Sequence, residues 1–436
     1  MRIVLAILLN AALLAVLLPW LWRQWWQVRG WVRAAMAISL GARLVVGLVT
    51  SVHLEKDAYF MSQLGKVITA QFWAQPEATF QTLMGDELHY AGWKVVYHGM
   101  SNTFFFAKIV ACGNLGSLGT DWLNAVYFSL FSFVGCWQLT KALVKAFPQT
   151  PAAAGAIAFG LWPSVAMWAS GITKESMVLG SGAWLLALFI ELFFGKKRLS
   201  KAQLWLHVIG LLMLTIVHFK MRYFFAAPFI GGLAALALTL WLQQLGLGRS
   251  RWVFVLVLST VLSGGLWLAS EVSIAFRPNK FFNQVTRIYG RLLTASKSKP
   301  HFEYPDLQPT VESIVRHIPE AVANTLTRPW LGESTQPLYV AAALENALLL
   351  VLITVSLFSI WQGRPGRLPF GLMLVLLVHC LALAVLLGLS SPNMGSMHRY
   401  RSGMLPYLVL LLLQNNYATA GLRRLGMRNE EAWPVP

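Results

Sequence analysis

The sequence predicts an all-α, polytopic membrane protein: one transmembrane domain over residues 1–436, with about eleven spanning helices. Three observations carry this reading. Hydrophobic residues make up 57% of the chain and charged residues only 12%, against about 25% charged in soluble domains. Apolar runs of about 18–22 residues recur, the length a bilayer asks of a helix. Nineteen tryptophans and a net charge of +18 accompany them. In a membrane protein such a charge reads as basic inner loops and contact with anionic lipid, not as a nucleic-acid surface.

The elements follow in order. The opening "MRIVLAILLNAALLAVLLPW" lacks a clear small-residue cleavage site and runs on into "LWRQWWQVRGW". It is therefore expected as a retained span at 3–21, not a signal peptide. A second span covers 35–53. Residues 54–120 form a first outer loop. Within it "AYFMSQLGKVITAQFW" and "TFFFAKIVACGNLG" place apolar residues at helical spacing with few charges, as expected of interfacial helices on the outer membrane surface. Six spans follow at 121–143, 151–168, 175–194, 203–219, 223–243 and 252–272. The second large outer loop, 273–337, carries Pro278, Pro300, Pro305, Pro309, Pro319 and Pro329. It is expected as helical pieces joined by turns, too short for a large separate core. The last spans are 338–360, 369–389 and 403–416.

Charge sets the orientation. With "RQWWQVR" inside, the inner loops and tail hold 16 basic residues against the acids Glu191, Glu430 and Glu431. The inner basic groups run from Arg23, Arg29 and Arg33, through Lys196, Lys197, Arg198 and Arg249, to Arg423, Arg424 and Arg428. By the positive-inside rule this places the N-terminus outside and the C-terminus in the cytoplasm. The outer side then holds 13 of the 17 acids and 18 basic residues. Any chemistry has its material there.

Cys112, Cys136 and Cys380 form no CxxC pair and no even framework, so neither a metal site nor structural disulfides are expected. His53, His89, His98, His218 and His398 show no HxxH spacing and are assigned no metal. Carboxylates are more informative. Glu55 and Asp57, in "HLEKDAYF", lie where the second span ends. A carboxylate can take the proton of an attacking hydroxyl. Two can hold a divalent metal, Mg or Mn, against a phosphate. By spacing alone a solvated loop start explains the pair as readily. Asp86 and Glu87 make a second acidic pair, better explained as loop solvation and kept in reserve.

With that acidic pair and the topology around it, the chain resembles the C-type membrane glycosyltransferases. That family places Asp-x-Asp or Glu-x-Asp in the first outer loop, then two surface helices, then further spans. Glu55-Lys56-Asp57 and the two amphipathic stretches match, over roughly residues 35–272. The span before the one preceding the pair is an addition to the family pattern. The resemblance implies Asp57 as general base and Glu55 as the group that orients the acceptor or a metal. It also implies a polyprenyl-phosphate-linked sugar as donor, in a bacterial-type inner membrane and in cell-envelope polysaccharide synthesis.

The outer cations Lys174, Lys220, Arg222, Arg328, Arg399 and Arg401 all fall near span ends. Arginine grips phosphate with a bidentate fork, and lysine adds a point charge. Snorkelling to headgroups explains any one of them equally well. Six from four outer segments favour a lipid-phosphate site. Arg43 and Glu345 fall inside spans, where charge is costly, and are candidates for either an ion pair or a functional role.

The leading expectation is a transferase that moves a sugar from a polyprenyl-phosphate carrier to a glycan, lipid or protein acceptor on the outer face. A polymerase or ligase of the O-antigen type is the alternative, drawing on "RPW" and "HRYR". A lipid or polysaccharide transporter is the alternative from another class. It is disfavoured because no internal repeat is visible and the polar groups gather at one face.

Overall fold

The computed structural model describes residues 1–97, 101–196, 199–248 and 250–428. His98, Lys197, Arg198, Arg249, Glu430 and Glu431 lie outside the described residues.

The chain forms helices α1 (Arg2–Gln27), α2 (Gly30–Val52), α3 (Lys56–Ala74) and α4 (Pro76–Met84), then a hairpin of β1 (Glu87–Tyr90) and β2 (Trp93–Val96). There follow α5 (Asn102–Ser117), α6 (Asp121–Ala146), α7 (Ala152–Ala156), a π turn (Ile157–Leu161), α8 (Pro163–Trp168) and α9 (Lys174–Phe194). Next come α10 (Lys201–Met221), α11 (Tyr223–Gln244) and α12 (Arg251–Val272), then α13 (Pro278–Thr294) and α14 (Val311–Thr327). The chain ends with α15 (Pro337–Trp361), α16 (Phe370–Ser390), α17 (Met394–Arg401), α18 (Leu405–Leu413) and α19 (Asn416–Arg424).

Among the described residues eight helices are long and apolar enough to cross a membrane: α1, α2, α9, α10, α11, α12, α15 and α16. Three expected spans are not among them. Helix α6 has the length, but it buries Asn124, Ser129, Ser132 and Thr140. The segment at 151–168 is broken. After the π turn Trp162 is extended (φ −64, ψ 122) and Pro163 restarts the helix as α8. A proline has no N–H to continue the ladder and pushes its predecessor out of the helical region. The segment at 403–416 contains only the nine residues of α18, almost wholly buried.

Among the described residues the hairpin is the only pair of strands, beside an isolated bridge between His301 and Asn393. Its turn residues Ala91 and Gly92 both have positive φ, the backbone a two-residue hairpin of the right twist requires.

Helices α6 and α9 form the centre. They cross at Gly135 and Gly180, where a Cβ on Gly135 would collide with the Gly180 carbonyl. The main core then spreads from Leu139 and Leu186 to Phe229, Leu376 and Tyr407. Chain direction alternates consistently. At one end α2 finishes, α9 starts and α10 finishes. At the other, Arg367 donates to Gln149 (2.7 Å) and His207 pairs with Glu191 (3.0 Å).

Candidate functional site

The first of those two ends gathers charge from segments far apart in sequence. Helix α9 starts at a tight turn. Gly171 there has φ +71 and lies against Gly47 and Thr50 of α2. Thr173 caps the helix by accepting from the Ser176 N–H. This places Lys174 and Glu175 in the first turn. Glu175 is 2% exposed. Its Oε1 accepts from Arg222 NH2 at 2.5 Å and its Oε2 from Arg399 NH2 at 3.2 Å. Arg399 also donates to Glu55 Oε2 at 2.7 Å. Arg222 stacks on Phe225 and Tyr400, 4.8 and 4.4 Å from their ring centres.

Burial works against the Arg399 charge, and Glu175 and Glu55 more than offset it, so its pKa stands above the ordinary guanidinium value. The Nε atoms of Arg222 and Arg399 are buried and make no hydrogen bond. Lys174 is half-buried, and its ammonium donates to two neutral acceptors, Asn102 Oδ1 (3.0 Å) and Thr103 Oγ1 (2.7 Å), on α5.

Asp57 is exposed in the first turn of α3 and acts electrostatically on Lys174. Glu55 is the residue before that helix (φ −57, ψ 154), so the two carboxylates do not share an extended strand. Glu55 reaches Arg399, and Asp57 acts electrostatically on Lys174. Glu55, expected to orient an acceptor or a metal, pairs with a guanidinium in this structure. Among the described residues no three His, Cys, Asp or Glu side chains gather into a metal-binding group.

Two expected phosphate ligands have partners within the protein. Arg401 is fully buried. Its NH1 donates to the carbonyls of Thr325 (3.0 Å) and Arg328 (3.1 Å) and to Asn346 Oδ1 (2.9 Å), closing the C-terminal end of α14. Arg328 reaches Glu333 at 3.5 Å and stacks on Trp330. Lys220 is exposed and faces Lys108 of α5 electrostatically.

Arg43 and Glu345 both repair the break before α8. The carbonyl of Phe159 would pair in a helix with the N–H of residue 163, which is proline. Arg43 NH2 supplies the missing donor at 2.6 Å, and its NH1 donates to Ala169 O and Ser132 Oγ. On the far side the Ser164 N–H has lost its own helical partner, and Glu345 Oε2 accepts from it at 2.9 Å. Glu345 also takes the Trp162 indole N–H at 2.6 Å. Both charges are therefore architectural.

Asp86 and Glu87 belong to the hairpin. Glu87 pairs with His89 at 3.1 Å with both side chains exposed. His398 is neutral, because burial with Arg401 beside it pushes its pKa down to about 3. It accepts from the Trp168 indole.

Glu175 was not singled out from the sequence, and it is the hub of the cluster. The available signal was a carboxylate in the first turn of an apolar run, in a chain with only 17 acids.

No family model, no curated protein and no solved structure matches this chain.

Proposed function

We propose that the protein is a membrane glycosyltransferase. It moves a sugar from a polyprenyl-phosphate-linked donor to a glycan, lipid or protein acceptor at the outer face of a bacterial-type inner membrane. One observation carries the reading: an exposed carboxylate, Asp57, acts electrostatically on Lys174, and the next residue, Glu175, holds Arg222 and Arg399 at the same end of the helix bundle. In this reading α6, the broken segment α7–α8 and the 403–416 segment around α18 complete eleven crossings in an arrangement of the C-type glycosyltransferase kind, with the N-terminus outside.

The chemistry follows from the side chains. Asp57 accepts the proton of the acceptor hydroxyl as its oxygen bonds to the anomeric carbon. The bond from that carbon to the carrier phosphate breaks, and the carrier leaves as a phosphate anion. Lys174, held only by neutral acceptors, has its charge available to that anion. Arg399 can exchange the exposed Glu55 for phosphate while Glu175 keeps it oriented. No step uses a metal.

Arg401 is fully buried and donates to the Thr325 and Arg328 carbonyls, which disfavours it as a ligand in a polymerase or ligase reading. A transporter reading gains nothing from Arg43, whose partners are the ends of a broken helix.

The test is binding of undecaprenyl phosphate to the purified protein, measured by native mass spectrometry. Binding that weakens in Arg399→Lys and Lys174→Ala supports the site, since Arg399→Lys keeps the charge but loses the fork. Unchanged binding in both removes these residues from it.

A further inference from the structure

Helix α13 is basic in a place where cations are unusual. On the outer side of a membrane protein Lys and Arg are normally sparse. Yet Arg277, Lys280, Arg287, Arg291, Lys297 and Lys299 follow one another with no acid between Glu271 and Glu303. All six are exposed. Among the described residues none of them joins an ion pair. The nearby acids have other partners: Glu303 pairs with His301, Asp306 with Arg316 and His317, and Glu333 with Arg328.

The placement within α13 is directional. Lys280, Arg287 and Arg291 recur at spacings of seven and four, so they share one helix face. Val285 and Tyr289 lie on the opposite face and are buried. Phe281 and Phe282 pack with Val285 against Ala321 of α14 and Leu389 of α16, and Tyr289 packs with Phe302, Tyr304 and Met397. An interfacial helix needs its apolar face free to enter the acyl boundary. Here protein covers that face, and the cations point away from it as a row about 16 Å long.

Each end of α13 leads to an element that carries a residue of the candidate site. Phe281 meets Phe224 (5.0 Å between ring centres), two residues from Arg222. Past the other end, Ser296 Oγ accepts from Asn393 Nδ2 (2.9 Å), the residue that caps α17, and α17 carries Arg399.

We infer that α13 and the lysines after it form a docking surface for an anionic glycan, a chain bearing carboxylates or phosphates at sugar-repeat spacing, and lead it to the charged cluster. That this glycan is the acceptor rests on the transferase reading. That it binds does not.

The experiment uses the full-length protein in nanodiscs of zwitterionic phosphatidylcholine, with no sugar donor present. The probes are fluorescent alginate oligosaccharides and neutral dextran of equal length. Wild type binds alginate over dextran, and the affinity falls as salt rises. Joint replacement Lys280→Gln, Arg287→Gln and Arg291→Gln weakens alginate binding by about tenfold or more, as three lost exposed charge pairs would. The charge-keeping set Lys280→Arg, Arg287→Lys and Arg291→Lys retains it, and circular dichroism shows both variants folded. The inference is overturned by equal binding of the two probes, or by equal alginate affinity in the Gln variant. It is also overturned if the substitutions change only adhesion to phosphatidylglycerol vesicles, which assigns the row to lipid. Alginate binding by a protein that transfers nothing would refute the transferase reading and leave the docking surface standing.

Discussion

Glu175 neutralises two guanidiniums that arrive from separate segments of the chain. At 3% side-chain exposure against 14% for Arg222 and 13% for Arg399, all three groups have given up most of their water. Removing one partner from such a set leaves uncompensated charge, at a cost of about 3–5 kcal/mol. Glu175→Gln should therefore lower thermal stability of the detergent-solubilised protein clearly. Glu55→Gln, whose side chain is 61% exposed, should change it by no more than about 1 kcal/mol. Equal melting shifts for the two variants would show that Glu175 is not the hub. The contrast explains why Glu175 is hard to single out from sequence. Glu55 and Asp57 are visible as a pair, whereas Glu175 matters through burial and through Arg222 and Arg399, 47 and 224 residues away.

At the scale of elements, apolar length located the helices well. The runs near 35–53, 175–194, 203–219, 223–243, 252–272, 338–360 and 369–389 correspond to α2, α9, α10, α11, α12, α15 and α16. It failed where a helix is broken and buried. Residues 151–168 are apolar enough to read as one span, but Pro163 splits them, and Arg43 and Glu345 close the two broken ends. Hydropathy sees the apolar composition and not the backbone groups that the proline leaves unpaired. That is also why both charges looked ambiguous in sequence. The β1–β2 hairpin was missed because its strands are only four residues each. The central crossing offers a sharp test. Gly135→Ala forces α6 away from the Gly180 carbonyl and should destabilise by about 1–3 kcal/mol. Gly41→Ala in α2 meets no atom within 4 Å and should be neutral or slightly stabilising. Similar melting temperatures for the two variants would contradict the close α6–α9 packing.

For the whole molecule, the basic inner loops predict which side is which, and the structure supplies sites to check it. Cys136 and Cys380 are buried and Cys112 is exposed, so a Cys112→Ser background is quiet. In it, Glu312→Cys before α14's second turn should react with an impermeant maleimide added to intact cells. Lys201→Cys at the start of α10 should react only after permeabilisation. The reverse pattern would place the charged cluster in the cytoplasm and end the outer-face account. With the side settled, the central claim is that Asp57 takes a proton during sugar transfer from a lipid carrier. Asp57→Asn keeps size and most hydrogen bonding but cannot accept that proton, a loss of about 10²–10⁴-fold in rate for a positioned base. The direct measurement is mass spectrometry of lipid extracts from cells whose only copy carries Asp57→Asn. The account predicts that the variant inserts at normal levels and accumulates the same polyprenyl-linked sugar as cells lacking the protein. A wild-type lipid profile in that strain would contradict it.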